Sequence, residues 1–219
     1  DQFRLISYQT QPAYKNITFK FKSACEVCDA SFLIMATKFR FDCLNNCHLT
    51  LPTSLVALKL GSKTQDVSVS GAENLTHLEV WNEGITVVAC PKLRDLFWSG
   101  KTFSGRNVPA GDLTQLSALT LFVDTVDPDF NLPQRLKHLW VKAKEFNCNR
   151  LTQLTGLELL DLDVNNSDTL DLSWLVALTY LKVGGVFVSS LPASLVTLSL
   201  SLETDFDFST LTTITELVL

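Results

Sequence analysis

The chain is short of the features that most functions advertise. It has one Met, three His and nine Gly in 219 residues, and only 19% of its residues are charged. Its 18 Lys and Arg are scattered and outnumbered by 23 Asp and Glu, giving a net charge of −5. No basic field is available to neutralise phosphates, so nucleic acid is excluded as a natural partner. No uninterrupted apolar run approaches the roughly 18 residues that a membrane helix needs. The chain opens at Asp1 without Met or an apolar leader, which is no argument for cytosolic residence, because targeting peptides are removed.

Catalytic signatures are missing too. Nucleophilic catalysis needs a base within reach of a Ser or Cys. His48, His77 and His138 are widely separated, so no such pair is specified. There is no Gly-rich phosphate loop and no His-Glu-x-x-His, and neither catalysis nor a cofactor is expected.

What is abundant is leucine, with 38 residues placed with regularity. Leu-x-x-Leu-x-apolar begins at Leu55, Leu75, Leu93, Leu116, Leu136, Leu157, Leu178 and Leu195, and ends with Ile214-x-x-Leu217-x-Leu219. Successive starts are 17 to 23 residues apart, with a mean of about 20. The last two apolar positions of each unit are two residues apart, so both point to one side of a short strand and into a stack of coils. Ala36-x-x-Phe39-x-Phe41 and Ile17-Thr18-Phe19-Lys20-Phe21 continue the series backwards in weaker form. Phe3-Arg4-Leu5-Ile6-Ser7-Tyr8 reads as a capping strand, which makes about eleven coils.

Residues 55–219 thereby resemble the leucine-rich-repeat family. Phrases such as Leu51-Pro52-Thr53-Ser54-Leu55 and Leu191-Pro192-Ala193-Ser194-Leu195 look like those of short, irregular repeats in surface and secreted proteins. The resemblance implies an α/β solenoid, predominantly β: a right-handed horseshoe with a parallel concave sheet. The Asn or Cys usual three residues after the last strand leucine is replaced by Lys63, Glu83, Lys101, Asp124, Lys144 and others, with only Asn165 fitting. The convex side is therefore expected to be irregular, with 3-10 segments, since about 12 return residues are too few for a long helix. Two regions follow: 1–50, a disulfide-stabilised cap with the first divergent coils, and 51–219, an array of about nine repeats expected to continue past Leu219.

Four of the six Cys cluster as Cys25-x-x-Cys28 and Cys43-x-x-x-Cys47. The cluster is similar in place and count to the cysteine-bridged caps of leucine-rich-repeat ectodomains. Aligning coils by their strands favours bridges Cys25–Cys43 and Cys28–Cys47. A zinc knot including His48 is the rival reading. Cys90 and Cys148, three coils apart, are out of bridging reach of each other and are expected as buried thiols. Sequons at Asn16, Asn74 and Asn165 join the cap in favouring the secretory route and an extracellular or cell-surface location.

The repeat also sorts inward from outward residues. Trp81, Phe97, Phe122 and Trp140 fall on neighbouring outward positions, interspersed with His77, Glu79, Asp95, His138 and Lys142, with Tyr180 further along. Exposed rings with charged neighbours on a rigid sheet are the material of protein-binding hot spots. The alternative is that the rings only pack on one another across strands. Trp98 and Trp174 are assigned to the core. Asp161-Leu162-Asp163-Val164-Asn165 has the acidic spacing of half a calcium loop but lacks its Gly, and is read as an acidic patch on the concave face.

The sequence thus points to an extracellular recognition module of receptor or adhesion type. Its partner would be a protein ligand or cell-surface partner, with membrane attachment only through an anchor beyond residue 219. Two other readings are a structural or assembly module that self-associates, and a cytosolic scaffold with a zinc-bound cap.

Overall fold

The computed structural model describes residues 17–20, 27–29, 38–42, 47–61, 67–81, 84–87, 90–108, 113–165, 169–200 and 213–218. The expected capping strand at 3–8 and the residues Asn16, Cys25 and Cys43 lie outside them.

The chain is a predominantly β, parallel solenoid with almost no helix. Its strands are numbered β1 to β19 in chain order. One eleven-stranded sheet runs the length of the array, each strand pairing in parallel with its successor. Its members are β1 (Ile17–Lys20), β3 (Lys38–Asp42), β5 (Ala57–Leu60), β7 (His77–Val80), β9 (Asp95–Ser99) and β11 (Ala118–Phe122). They continue with β13 (His138–Ala143), β14 (Leu159–Val164), β16 (Tyr180–Gly184), β18 (Thr197–Leu200) and β19 (Glu216–Val218).

The register is the one the repeat dictates. Leu58, Leu78, Leu96, Leu119, Leu139, Leu160, Leu181, Leu198 and Leu217 form one continuous row. The weaker forward units fit as well, with Ile17 opposite Phe39 and Phe39 opposite Leu58. Alternation then buries every second residue: Leu58 to Leu198 of that row, and Leu60, Val80, Trp98, Leu121, Val141, Leu162, Val183 and Leu200 two places on, are all buried. Each such side chain contributes about 1.5–3 kcal/mol by leaving water.

The same turn feeds each of these strands. The amide of the first repeat leucine donates to the carbonyl three residues earlier, as in Leu55 to Pro52, Leu75 to Ala72, Leu116 to Leu113 and Leu195 to Pro192. Pro suits this place because only its carbonyl is used. Next to the turn runs a column of shared carbonyls: Thr76 and His77 amides both donate to Val56 O, Arg94 and Asp95 to Thr76 O, and Ser117 and Ala118 to Arg94 O. The column continues through Lys137 and His138 to Ser117 O, Glu158 and Leu159 to Lys137 O, and on to Thr215 and Glu216 at Val196 O.

The return side adds to the expectation. Beside the expected turns and 3-10 segment it also carries parallel strands: a four-stranded sheet of β2 (Val27–Asp29), β4 (Cys47–Thr50), β6 (Val67–Ser70) and β8 (Ile85–Val87). Two-stranded sheets follow, β10 (Thr102–Phe103) with β12 (Thr125–Val126), and β15 (Thr169–Asp171) with β17 (Phe187–Ser190). Only Cys148–Gln153 forms a described 3-10 helix, capped by the Asn147 side chain accepting from the Asn149 amide. The reason is legible in Val67-Ser68-Val69-Ser70, whose period-two alternation buries both valines.

The β2–β4 register also bears on the cap. Cys28 stands opposite Leu49, two residues beyond Cys47. The side chains of Cys28 and Cys47, and with them the bridge expected between them, lie outside the described residues. Cys90 and Cys148 are buried, as expected.

Candidate recognition surface

The outward face of the long sheet carries three rows, and the rings occupy two of them alternately. Phe97 and Trp140 lie on the middle row, in register with Thr120 between them. Trp81 and Phe122 lie two residues further along their strands, on either side of Ser99. Small Ser99 and Thr120 leave the gaps that the rings fill diagonally.

The result is a continuous zigzag. Trp81 meets Phe97 at 4.7 Å between centroids and 36° between planes. Phe97 meets Phe122 edge-on at 5.4 Å and 89°, and Phe122 meets Trp140 at 5.1 Å and 86°. Edge-to-face contacts at these distances are favourable, so the strip is held rigid by its own rings. The outer two still face solvent, Trp81 being 47% exposed and Trp140 42%.

Charges close both ends of the strip. At the first, the Trp81 indole N–H and the Lys59 ammonium both donate to Oε1 of Glu79, the latter at 2.5 Å. Lys59 Nζ also sits 5.1 Å from the Trp81 ring centroid, a cation–π contact. At the other end, Lys142 bonds Asp163 at 2.6 Å and Lys182 reaches Asp161 at 3.4 Å. The Asp163 hydrogen bond raises the Lys142 pKa.

Asp161 breaks the pattern of its row. It is outward by register, between Trp140 and Lys182, yet only 7% exposed, and its Oδ1 has no hydrogen-bond partner among the described residues. Burial raises its pKa, against the opposing pull of Lys182.

The remaining expected residues are distributed around this strip. His77 stands in register with Asp95 and contacts Thr76 Oγ1 through Nδ1 at 2.8 Å. His138 is exposed, between Ala118 and Leu159 in register. Tyr180 is separated from the Trp140 strand by β14 and stays apart from the ring contacts. Lys59, Asp161, Asp163 and Lys182 were not among the residues expected at the site. Lys59 and Glu79 share one row a coil apart, so opposite charges at equal repeat positions were the available signal.

Trp98 is fully buried, and Trp174 packs against the core while its indole donates to Asp171 O at 2.8 Å. The Asn74 sequon side chain is engaged by neighbouring coils: Nδ2 donates to Thr53 O at 2.7 Å and Oδ1 accepts from Lys92 at 2.6 Å. Asn165 is exposed just after β14. Among the described residues no group of three or more His, Cys, Asp or Glu is placed to hold a metal ion, and no helix is long and apolar enough to cross a membrane. No family model matches the chain, and no curated protein matches it.

Proposed function

We propose that this chain is an extracellular recognition module of the leucine-rich-repeat type, a horseshoe that binds a protein partner through the ring-bearing, concave face of its long sheet. The observation that carries this reading is the zigzag of four rings with nearly half-exposed indoles at its two ends. Aromatic anchors ringed by ion pairs suit a hot spot. Held by strand pairing and by each other, they lose little freedom on binding, so little affinity is spent on ordering.

The test is a binding screen against purified cell-surface proteins with the native chain and Trp81→Ala/Trp140→Ala. A partner that loses at least about tenfold in affinity with the double variant supports the reading. Partners that bind both forms equally refute it. The extracellular assignment has its own check in the intact mass of protein made through a secretory pathway, before and after glycan removal. Added sugar at Asn16 or Asn165 supports it, and an unmodified mass with bound zinc supports the cytosolic reading.

A further inference from the structure

The edge of the solenoid beside the strand-entering turns holds a second surface of different character. Four consecutive coils form an open groove of about 520 Å³ there, its polar lining Arg94, Gln115, Ser117, Gln134, Arg135 and Lys137, with Leu136 and Gly156 completing it. In a chain of net charge −5, three cations line it and no carboxylate does. Glu158 of the following coil is paired with Lys137 at 2.6 Å.

The guanidinium donors of this groove are largely unspent. The Arg94 guanidinium is exposed and makes no hydrogen bond or ion pair with the described residues. Arg135 spends one donor, from Nη1 to Gln115 Oε1 at 3.3 Å, and a guanidinium has five. The carbonyls of Thr76, Arg94, Ser117 and Lys137 each already accept two amides from the next coil, and Arg94 O accepts the Ser117 hydroxyl as well.

Spacing sets the size of what fits. Arg94 and the Arg135/Lys137 pair lie on coils two apart, so their backbones are separated by about 10 Å. That span suits acidic groups one disaccharide apart on a sugar chain. No aromatic ring lines the groove, so bases have nothing to stack on. Two Gln amides between the cations suit sugar hydroxyls.

We propose that this groove binds an acidic oligosaccharide, its sulfate or carboxylate groups taken by Arg94, Arg135 and Lys137 and its hydroxyls by Gln115 and Gln134. The site is separate from the ring-bearing face and does not depend on the function proposed for it.

The experiment is calorimetric titration of the whole chain at low salt with a sulfated hexasaccharide, a carboxylate-only hexasaccharide and a single-stranded DNA oligomer of equal charge. At least one sugar should bind, more weakly as salt rises, and the two sugars rank sulfate against carboxylate as the preferred group. Arg94→Ala/Arg135→Ala should weaken that sugar about tenfold or more, since paired guanidinium–oxyanion contacts are lost. Lys144→Ala, the same kind of charge loss at the opposite edge, should change it less than about twofold. If the double variant melts early, Lys137→Ala serves in its place. Binding of neither sugar, equal loss with Lys144→Ala, or DNA binding as tight as the sugar would each overturn the proposal.

Discussion

Trp140 and Asp161 are register partners on neighbouring strands, and their solvation is inverted: the indole is 42% exposed and the carboxylate 7%. A hydrophobic ring is left in water while a charge is withdrawn from it, beside a Lys182 contact of 3.4 Å that is long for a compensating bond. The arrangement costs stability.

Asp161 therefore gives the fold a pH dependence of known sign. Its pKa is higher folded than unfolded, so the folded state holds the proton more tightly. Its contribution is most favourable below the unfolded pKa and is lost as pH rises through the folded one. Asp161→Asn should raise the thermal midpoint at pH 7 relative to the native chain and change it less at pH 3. Equal shifts at both pH values would contradict this.

The ring strip predicts a graded mutational series. Trp81 and Trp140 each touch one ring, whereas Phe97 touches two and is more buried. Trp81→Ala and Trp140→Ala should each cost about 0.5–1.5 kcal/mol in ring contact, and Phe97→Ala clearly more. Urea unfolding of the three variants measures this, and a Trp81→Ala cost equal to that of Phe97→Ala would argue that the strip exists for packing.

Gly185 is required by the return path. It sits at φ +74°, and a Cβ there would lie 2.0 Å from the Val164 carbonyl oxygen. Gly185→Ala should cost more than about 1 kcal/mol, because backbone must move. Gly156, with nothing within 4 Å of its would-be Cβ, should accept Ala within about 0.5 kcal/mol. Similar melting shifts for the two would contradict the account.

The Cys90 and Cys148 thiols are buried, 0% and 6% exposed. Alkylation of both by a thiol reagent should track unfolding and be absent from the native chain. Rapid labelling under native conditions would mean the coils around them open locally.

The long sheet was legible because its signal is redundant: a row running Leu58, Leu78, Leu96 and onward fixes the register at each step, so one weak unit such as Ala36-x-x-Phe39 is carried by its neighbours. The rings were legible for the same reason, since outward positions follow once inward ones are known. The return side was not. Its strands are short, and Val67-Ser68-Val69-Ser70 competes with a family pattern that predicts an irregular surface. The burial of Asp161 was equally hidden, because a row position says which way a side chain points and nothing about what closes over it.

The most direct measurement places a photo-reactive side chain at Thr120, between the rings, and separately at Val176, 71% exposed on the edge. Each protein is irradiated with the partner that the surface screen yields. The account predicts a cross-link from position 120 that disappears with Trp140→Ala, and none from position 176. Cross-linking from 176 alone, or from 120 undiminished by Trp140→Ala, would contradict recognition through the ring-bearing face.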